Sequence, residues 1–331
     1  MTQCCSWERA TSDGSPGPLR RNGPIETRFE KELRELLGPR VAFGVPLSKH
    51  TSLRVGGPAD AFARPRDLEE LQALLGLCSD LGVGVLLVGG GFNLLVSDAG
   101  IAGVVVQLQA LRELEAAPEG QITAQAGTSH SRLVRFAAER GCSGLEFGVG
   151  IPGTVGGWIA MNAGIPSAEV KDVVERVDWI APGTAGIREV PRADLDFSYR
   201  SLELPPGATI VRAVFRTEPG DPAAIQEQMR ELLARRRDTQ PIDQRSCGSV
   251  FKNPPGDRAA RLIDSAGLKG TRSGSATISQ KHANFIETRG DATAADVLAL
   301  IELARSEVAS RFGIELETEV RFVGRSPGGL G

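Results

Sequence analysis

Leu86-Leu87-Val88-Gly89-Gly90-Gly91-Phe92-Asn93-Leu94-Leu95-Val96 is the stretch from which the rest of the chain is read. An apolar run enters three consecutive glycines, passes Asn93 and becomes apolar again. Only glycine lets successive backbone N–H groups turn toward one point without interference from a Cβ. Donors that converge in this way form an anion-binding concavity. The stretch therefore has two readings. It is a cradle for a phosphate, such as the pyrophosphate of a dinucleotide, or it is a tight turn between two buried strands. Taken alone it does not choose between them.

The flanking sequence supplies an α/β setting. Asp67 is a candidate N-cap for a helix reaching Ser79, with Glu70 three residues on in the capping-box pattern. Val83 to Val88 reads as a buried strand, Gly103 to Leu108 as another and Ala61 to Ala63 as a short one. Strand, helix, strand, turn, strand indicates helices packed on a sheet. Further upstream, Ile25 to Leu37 is amphipathic, with Phe29, Leu33, Leu36 and Leu37 on one face, and Gly38-Pro39 ends it. Pro46 to Asp60 is polar and punctuated by Gly and Pro, and reads as mostly loop. Downstream, Leu111 to Ala126 suggests short antiparallel strands and Ser129 to Arg140 a helix. Val173 to Ile180 and Thr209 to Phe215 read as strands, and Ala223 to Arg237 as a helix. The closing triplet Arg235-Arg236-Arg237 suits the negative end of a helix dipole. From about Glu218 a short helix (257–266), two strands (276–279 and 284–287), a long helix (292–312) and a closing strand (318–323) suggest a small α+β domain.

At 331 residues, two or three domains are expected. A hydrophobic content of 41% and a charged content of 24% place the chain among soluble globular proteins. A net charge of −3 provides no general basic field for nucleic acid. No apolar run is long enough to span a bilayer. Residues 1–24 are rich in Ser, Gly and Pro, lack the apolar core of a signal peptide and read as a disordered tail. Five cysteines and three histidines are spaced for neither a disulfide framework nor a zinc site, which points to a reducing cytoplasm and no bound metal.

A second glycine-dense region runs from Gly148 to Gly164. Gly148-x-Gly150-x-x-Gly153 matches the dinucleotide fingerprint literally, but a Rossmann loop needs a buried strand before it and a helix start at its end. Here a poor strand precedes it, and Pro152 removes one N–H. The triple glycine fits no better, because Leu94 occupies the third glycine position. Two glycine segments about 60 residues apart can nevertheless lie against one long ligand. Gly150 to Gly157 would then present N–H donors at a helix start, whereas the plainer role of Gly153, Gly156 and Gly157 is close helix–sheet packing. In the C-terminal third, Ser249 sits on a Gly-Ser turn with Lys252 and Asn253 close behind, and no nucleophile elbow surrounds it. Ser279 to Phe285 sets polar groups before an apolar strand. Glu317, Glu319 and Arg321 would share one face of a strand, ordinarily the solvent face.

Together these segments resemble the UDP-N-acetylenolpyruvoylglucosamine reductase family. The matching residues are Thr51 to Gly57, Gly89 to Asn93, Gly150 to Gly157 with Met161 to Gly164, Tyr199-Arg200-Ser201, Gly248 to Pro254, Lys281 to Phe285 and Glu319 to Phe322. They follow the family's order from about Phe43 to Gly324. The resemblance implies a vanillyl-alcohol-oxidase-type FAD-binding fold, mixed α/β and α+β. Its two FAD-binding subdomains would span 25–107 and 108–217, with a substrate domain at 218–325 and a tail at 326–331. It implies non-covalent FAD, contacted by Gly89, Gly90, Gly91, Phe92, Asn93, Gly150, Ile151, Gly153, Thr154, Gly156, Asn162, Ala163 and Gly164. It implies that NADPH reduces the flavin and leaves, and that a UDP-sugar enolpyruvyl ether then takes hydride from flavin N5 at its β-carbon. Arg200 would stabilise the enolate-like charge with a protonated Glu319, and Ser249 would protonate the α-carbon. Tyr199, Lys252, Asn253 and His282 would contact substrate. The implied protein is a cytoplasmic monomer of peptidoglycan synthesis.

Three features depart from the family. Phe92 replaces a small hydroxyl residue, the Arg200–Ser249 segment has no room for the tyrosine-bearing loop of the longer subfamily, and Trp158 replaces smaller residues. Another flavin oxidase or dehydrogenase of the same fold, acting on a sugar or lactone, is one alternative. A non-catalytic nucleotide-binding protein is the other.

Overall fold

A computed structural model describes residues 27–117, 120–182 and 186–325. The tails expected at 1–24 and 326–331 lie outside the described residues. Helix α1 (Arg28–Leu37) starts where Thr27 closes a full capping box with Glu30, and it buries Phe29, Leu33 and Leu37. Strand β1 (Val41–Pro46) follows and pairs antiparallel with β2 (Pro58–Ala63). The expectation of a loop across 46–60 therefore needs correction at both ends. Pro46 closes β1 and Pro58 opens β2, and these are strand-terminal places where a missing N–H costs no ladder bond.

Helix α2 (Leu68–Asp80) is capped by Asp67, which accepts from the Glu70 N–H at 2.8 Å. The capping box is only half made. The Glu70 carboxylate turns to the Arg66 N–H and to the Arg40 guanidinium rather than back to Asp67. Strands β3 (Val85–Val88), β4 (Leu94–Val96) and β5 (Ile101–Gln107) complete the first unit. Its sheet runs β1-β2-β5-β3, with β2 and β3 both parallel to β5.

The second unit is an antiparallel sheet of β6 (Leu114–Ala116), β7 (Gln121–Gln125), β8 (Val174–Ile180), β9 (Arg188–Pro191) and β10 (Thr209–Arg216). Its order is β9-β8-β10-β7-β6. Helices α3 (His130–Glu139), α4 (Val155–Ala160) and α5 (Pro222–Thr239) lie against this unit. Trp158 is a core residue here. Its ring meets His130 edge-on at 3.8 Å and packs near Phe147 and Phe215.

The C-terminal unit holds α6 (Ala259–Ser265), the hairpins of β11 (Arg272–Ser273), β12 (Ala276–Ile278) and β13 (Ile286–Thr288), and the long α7 (Ala294–Phe312). Strand β14 (Arg321–Val323) then leaves it to pair parallel with β4. The closing strand is thus shorter than the expected 318–323, and Glu319 precedes it.

The C-terminal core is shared. Leu53, Val55 and Leu95 from the first unit are buried with Val250, Phe251, Leu262 and Ile301. Asp98, after β4, accepts from the N–H groups of Ala294 and Ala295 at 2.8 and 3.0 Å and so caps α7 across the boundary. Removal of such a cap costs about 1 kcal/mol. Asp98→Ala should therefore lower the unfolding free energy by that amount, read by circular dichroism as a lower urea midpoint with the slope of the transition unchanged.

Candidate active site

The triple glycine lies at the contact of three backbone segments. At Gly91, whose φ is +67°, an added Cβ would fall 2.1 Å from the His50 carbonyl oxygen. At Gly89 it would fall 2.1 Å from Thr154 Oγ1, and at Gly90 2.6 Å from the Phe92 ring. The Ser52 N–H and hydroxyl both donate to the Gly91 carbonyl, which fixes the turn from behind. Among the described residues, no protein acceptor faces the backbone N–H groups of Gly89, Gly90, Gly91, Phe92 or Asn93. Five successive unpaired donors, three of them on glycines with no room for a Cβ, fit a phosphate-bearing ligand. Phe92 stands half out in solvent, its ring folded over Gly90.

The second glycine segment faces the first, since Thr154 abuts Gly89 and Gly153 lies under Gly90. At the helix start, two of the N–H groups expected to be on offer are already taken. Val155 donates to the Thr128 carbonyl and Gly156 to the Ala126 carbonyl, each at 2.9 Å. The N–H groups of Gly150, Gly153 and Thr154 have no protein acceptor among the described residues, whereas Ile151 donates to Gly148. Gly156 instead allows α4 to close on Ala126, where a Cβ would stand 3.0 Å from another.

Asn162, Ala163 and Gly164, expected at the cofactor, also hold together the wall behind Arg200. Asn162 is fully buried at φ +39°. Its amide donates to the Ser198 carbonyl and to Glu169, and its side-chain oxygen accepts from the Lys171 N–H. The Ala163 carbonyl accepts from Val170, and Gly164 pairs with Glu169. Together they form a mount for Arg200. That residue sits at φ +59° in the two-residue turn of a Phe197–Leu202 hairpin, a strained position for a side chain with a Cβ. Its guanidinium donates to the carbonyls of Asn162 and Gly164, pairs with Glu169 at 3.1 Å and meets Glu319 at 3.4 Å. It also lies 4.9 Å from the centre of the Tyr199 ring.

Burial pushes the Glu319 carboxyl up to about 7, against the opposing pull of Arg200 and Lys252. The expected common face of Glu317, Glu319 and Arg321 does not form, because this stretch crosses between units before β14 begins. Glu317 points outward and pairs with Lys252 at 2.6 Å, whereas Glu319 is mostly buried. Asn93 reaches across from the glycine turn, its side-chain N–H donating to the Glu319 carbonyl at 3.0 Å. The Glu319 N–H in turn donates to the Val250 carbonyl, which brings the Ser249 turn alongside. Asn284 clamps that turn by exchanging hydrogen bonds with the Phe251 backbone.

Arg200 lines a cleft of about 920 Å³ between the second and C-terminal units, with Tyr199, Lys252 and Asn253. Asn253 also accepts from the Ala259 N–H, which steadies α6. His282 does not line this cleft. Its ring packs edge-on against Phe285 at 4.8 Å, and burial lowers its basicity. Reading by motif passed over Glu169 and Lys171 of the cleft wall. No spacing marks them, because their partners Asn162 and Arg200 come from separate turns.

A glycine cradle of unpaired donors, with a buried carboxyl on an arginine beyond it, defines a dinucleotide-dependent oxidoreductase. Residues 59–185 match the FAD binding domain family, and residues 240–323 match the UDP-N-acetylenolpyruvoylglucosamine reductase C-terminal domain. The UDP-N-acetylenolpyruvoylglucosamine reductase of Anaeromyxobacter dehalogenans (strain 2CP-C) is 50% identical over 282 residues, 85% of each chain. That of Geobacter sulfurreducens is 43% identical over 304 residues, covering 92% of this chain and 99% of its own. The crystal structure of the Thermus caldophilus enzyme superposes with a TM-score of 0.74 at 36% identity, covering 86% of this chain and 98% of that one.

The chain belongs to the UDP-N-acetylenolpyruvoylglucosamine reductase family. It is an FAD-dependent oxidoreductase of peptidoglycan synthesis with the oxidase-type FAD-binding fold expected from its sequence, and NADPH is the family's co-substrate. No described helix is long and apolar enough to cross a membrane. Because a Cβ at residue 91 collides with backbone rather than with a flexible side chain, Gly91→Ala should displace the cradle. The purified variant should carry less than a tenth of the wild-type flavin absorbance per chain, a loss of more than about 1.4 kcal/mol in cofactor affinity at equal FAD.

Proposed function

We propose that this chain reduces UDP-N-acetylglucosamine enolpyruvate to UDP-N-acetylmuramate with NADPH, as a cytoplasmic monomer. Gly89 to Asn93 with Gly150, Gly153 and Thr154 hold the FAD diphosphate. Residues 25–107 and 108–217 act as the two cofactor subdomains, and 218–325 as the substrate domain. Bound FAD supplies the hydride that adds to the substrate β-carbon, after taking it from NADPH. Every other task falls to the protein.

The observation that carries this reading is the mostly buried Arg200–Glu319 pair beside the Ser249 turn. Hydride addition leaves an enolate charge on the carboxylate side of the substrate. Arg200 stabilises that charge from a fixed position, and preorganised donors of this kind are worth several kcal/mol. Burial disfavours the Glu319 anion, so about half of the carboxyl keeps its proton at neutral pH, and that form donates a hydrogen bond where a carboxylate would repel. The Ser249 hydroxyl, which has no protein partner among the described residues, delivers the proton to the α-carbon. Tyr199, Lys252 and Asn253 line the cleft that receives the UDP-sugar.

Anaerobic stopped-flow absorbance separates the two half-reactions. Ser249→Ala should reduce its flavin with NADPH at the wild-type rate and reoxidise with the enolpyruvyl substrate more slowly by about a hundredfold or more. Equal loss in both half-reactions rules out a proton donor. The pH dependence has a definite sign. Glu319 holds its proton below about pH 7 and loses it above. Wild-type reoxidation should therefore fall as pH rises through about 7, and Glu319→Gln, which cannot ionise, should lack that limb. If NADPH bleaches the flavin but the enolpyruvyl substrate never restores it, the sugar or lactone alternative is favoured instead.

A further inference from the structure

Arg200 serves two carboxylates, and they are not equivalent. Glu169 presents one oxygen to Arg200 at 3.1 Å and the other to Lys171 Nζ at 2.8 Å and to the Asn162 amide at 3.1 Å. Three donors from three segments thus converge on it. Glu319 meets Arg200 at 3.4 Å, beyond a good charge-assisted hydrogen bond, and no other side-chain donor faces its carboxyl among the described residues. The other charged group acting on it is Lys252, whose Nζ lies 2.6 Å from Glu317. Cys247 lies near and is uncharged, since burial pushes its thiol up to about 12. The cation at the centre of the site is therefore already paired with a carboxylate other than Glu319, one that it shares with Lys171.

We propose that Glu169 is a positioning residue of this reaction. It neutralises Arg200 from behind, so that Glu319 faces a shared cation and keeps its proton. This inference rests on the function proposed above. Two groups with unlike surroundings on one guanidinium divide their roles, one holding the charge and the other the proton. An unshared arginine within 4 Å would pull Glu319 toward its anion. Glu169 also locks the mount, because Asn162 binds both it and the Ser198 carbonyl at the base of the Arg200 turn. The residue acts through Arg200, with which its carboxylate pairs at 3.1 Å.

The test is the pH profile of reoxidation by UDP-N-acetylglucosamine enolpyruvate, in full-length flavin-loaded protein. In Glu169→Gln, removal of the anion frees the whole Arg200 charge, so Glu319 ionises at lower pH. The basic limb should move acidward by about one pH unit. Glu169→Asp, which keeps the charge, should bring the limb back toward wild type. A limb that stays in place in Glu169→Gln while the rate falls would show a purely structural role and overturn the inference.

If Glu169→Gln does not retain flavin, infrared titration of the Glu319 carboxyl in the full chain, assigned by its loss in Glu319→Gln, reads the same shift. An unmoved titration overturns the inference there too. Failure of the underlying function would look different. The wild-type protein itself would then show no reoxidation by this substrate, or a basic limb that persists in Glu319→Gln.

Discussion

The close approach of backbone to backbone at Gly91 is the constraint on which the rest depends. The carbonyl of His50 occupies the place where a side chain would begin, and Ser52 holds the Gly91 carbonyl with two donors. Because the turn is pinned from below, its upper face keeps a row of N–H groups unpaired. Unpaired backbone donors cost free energy unless water or a ligand meets them. In the function proposed above, the FAD diphosphate is the ligand that meets them. The segment behind it, Thr51 to Val55, also sends Leu53 and Val55 into the C-terminal core. One loop therefore fixes both the cradle and the neighbouring unit.

From this anchor the chemistry is arranged by short polar links rather than by the large cores. Asn93 ties the glycine turn to the Glu319 carbonyl, Glu319 ties to Val250, and Asn284 clamps the Ser249 turn. Each link joins residues far apart in sequence, and a shift in one moves the next. The opposite wall is built differently. Asn162, strained into positive φ and buried without residual exposure, gathers Ser198, Glu169 and Lys171 and so sets where Arg200 stands. Strain at Asn162 and Arg200 is offset by this network, a common arrangement where position matters more than stability.

The sequence by itself determined a good deal. The helices at 28–37, 68–80, 130–139 and 294–312 follow from apolar periodicity and caps, which are local properties. The strands around 85–88, 101–107 and 174–180 follow from short β-branched runs between turn signals. The glycine motifs were visible as backbone freedom, and the ordered set of segments pointed to the family. Tertiary structure decided the rest. Whether the helix start at Val155 had free N–H groups depended on two carbonyls of the 126–128 turn. Whether Asn162 faced cofactor or core depended on Ser198 and Glu169. Whether Glu319 faced solvent or the site depended on a chain crossing between units, and Glu169 acquired a role only by meeting Arg200. The physical reason is the same in each case. A periodicity or a cap is set by neighbours in the chain, whereas the partner of a polar group, and with it the group's charge and purpose, is set by whichever distant segment folding brings within about 3 Å.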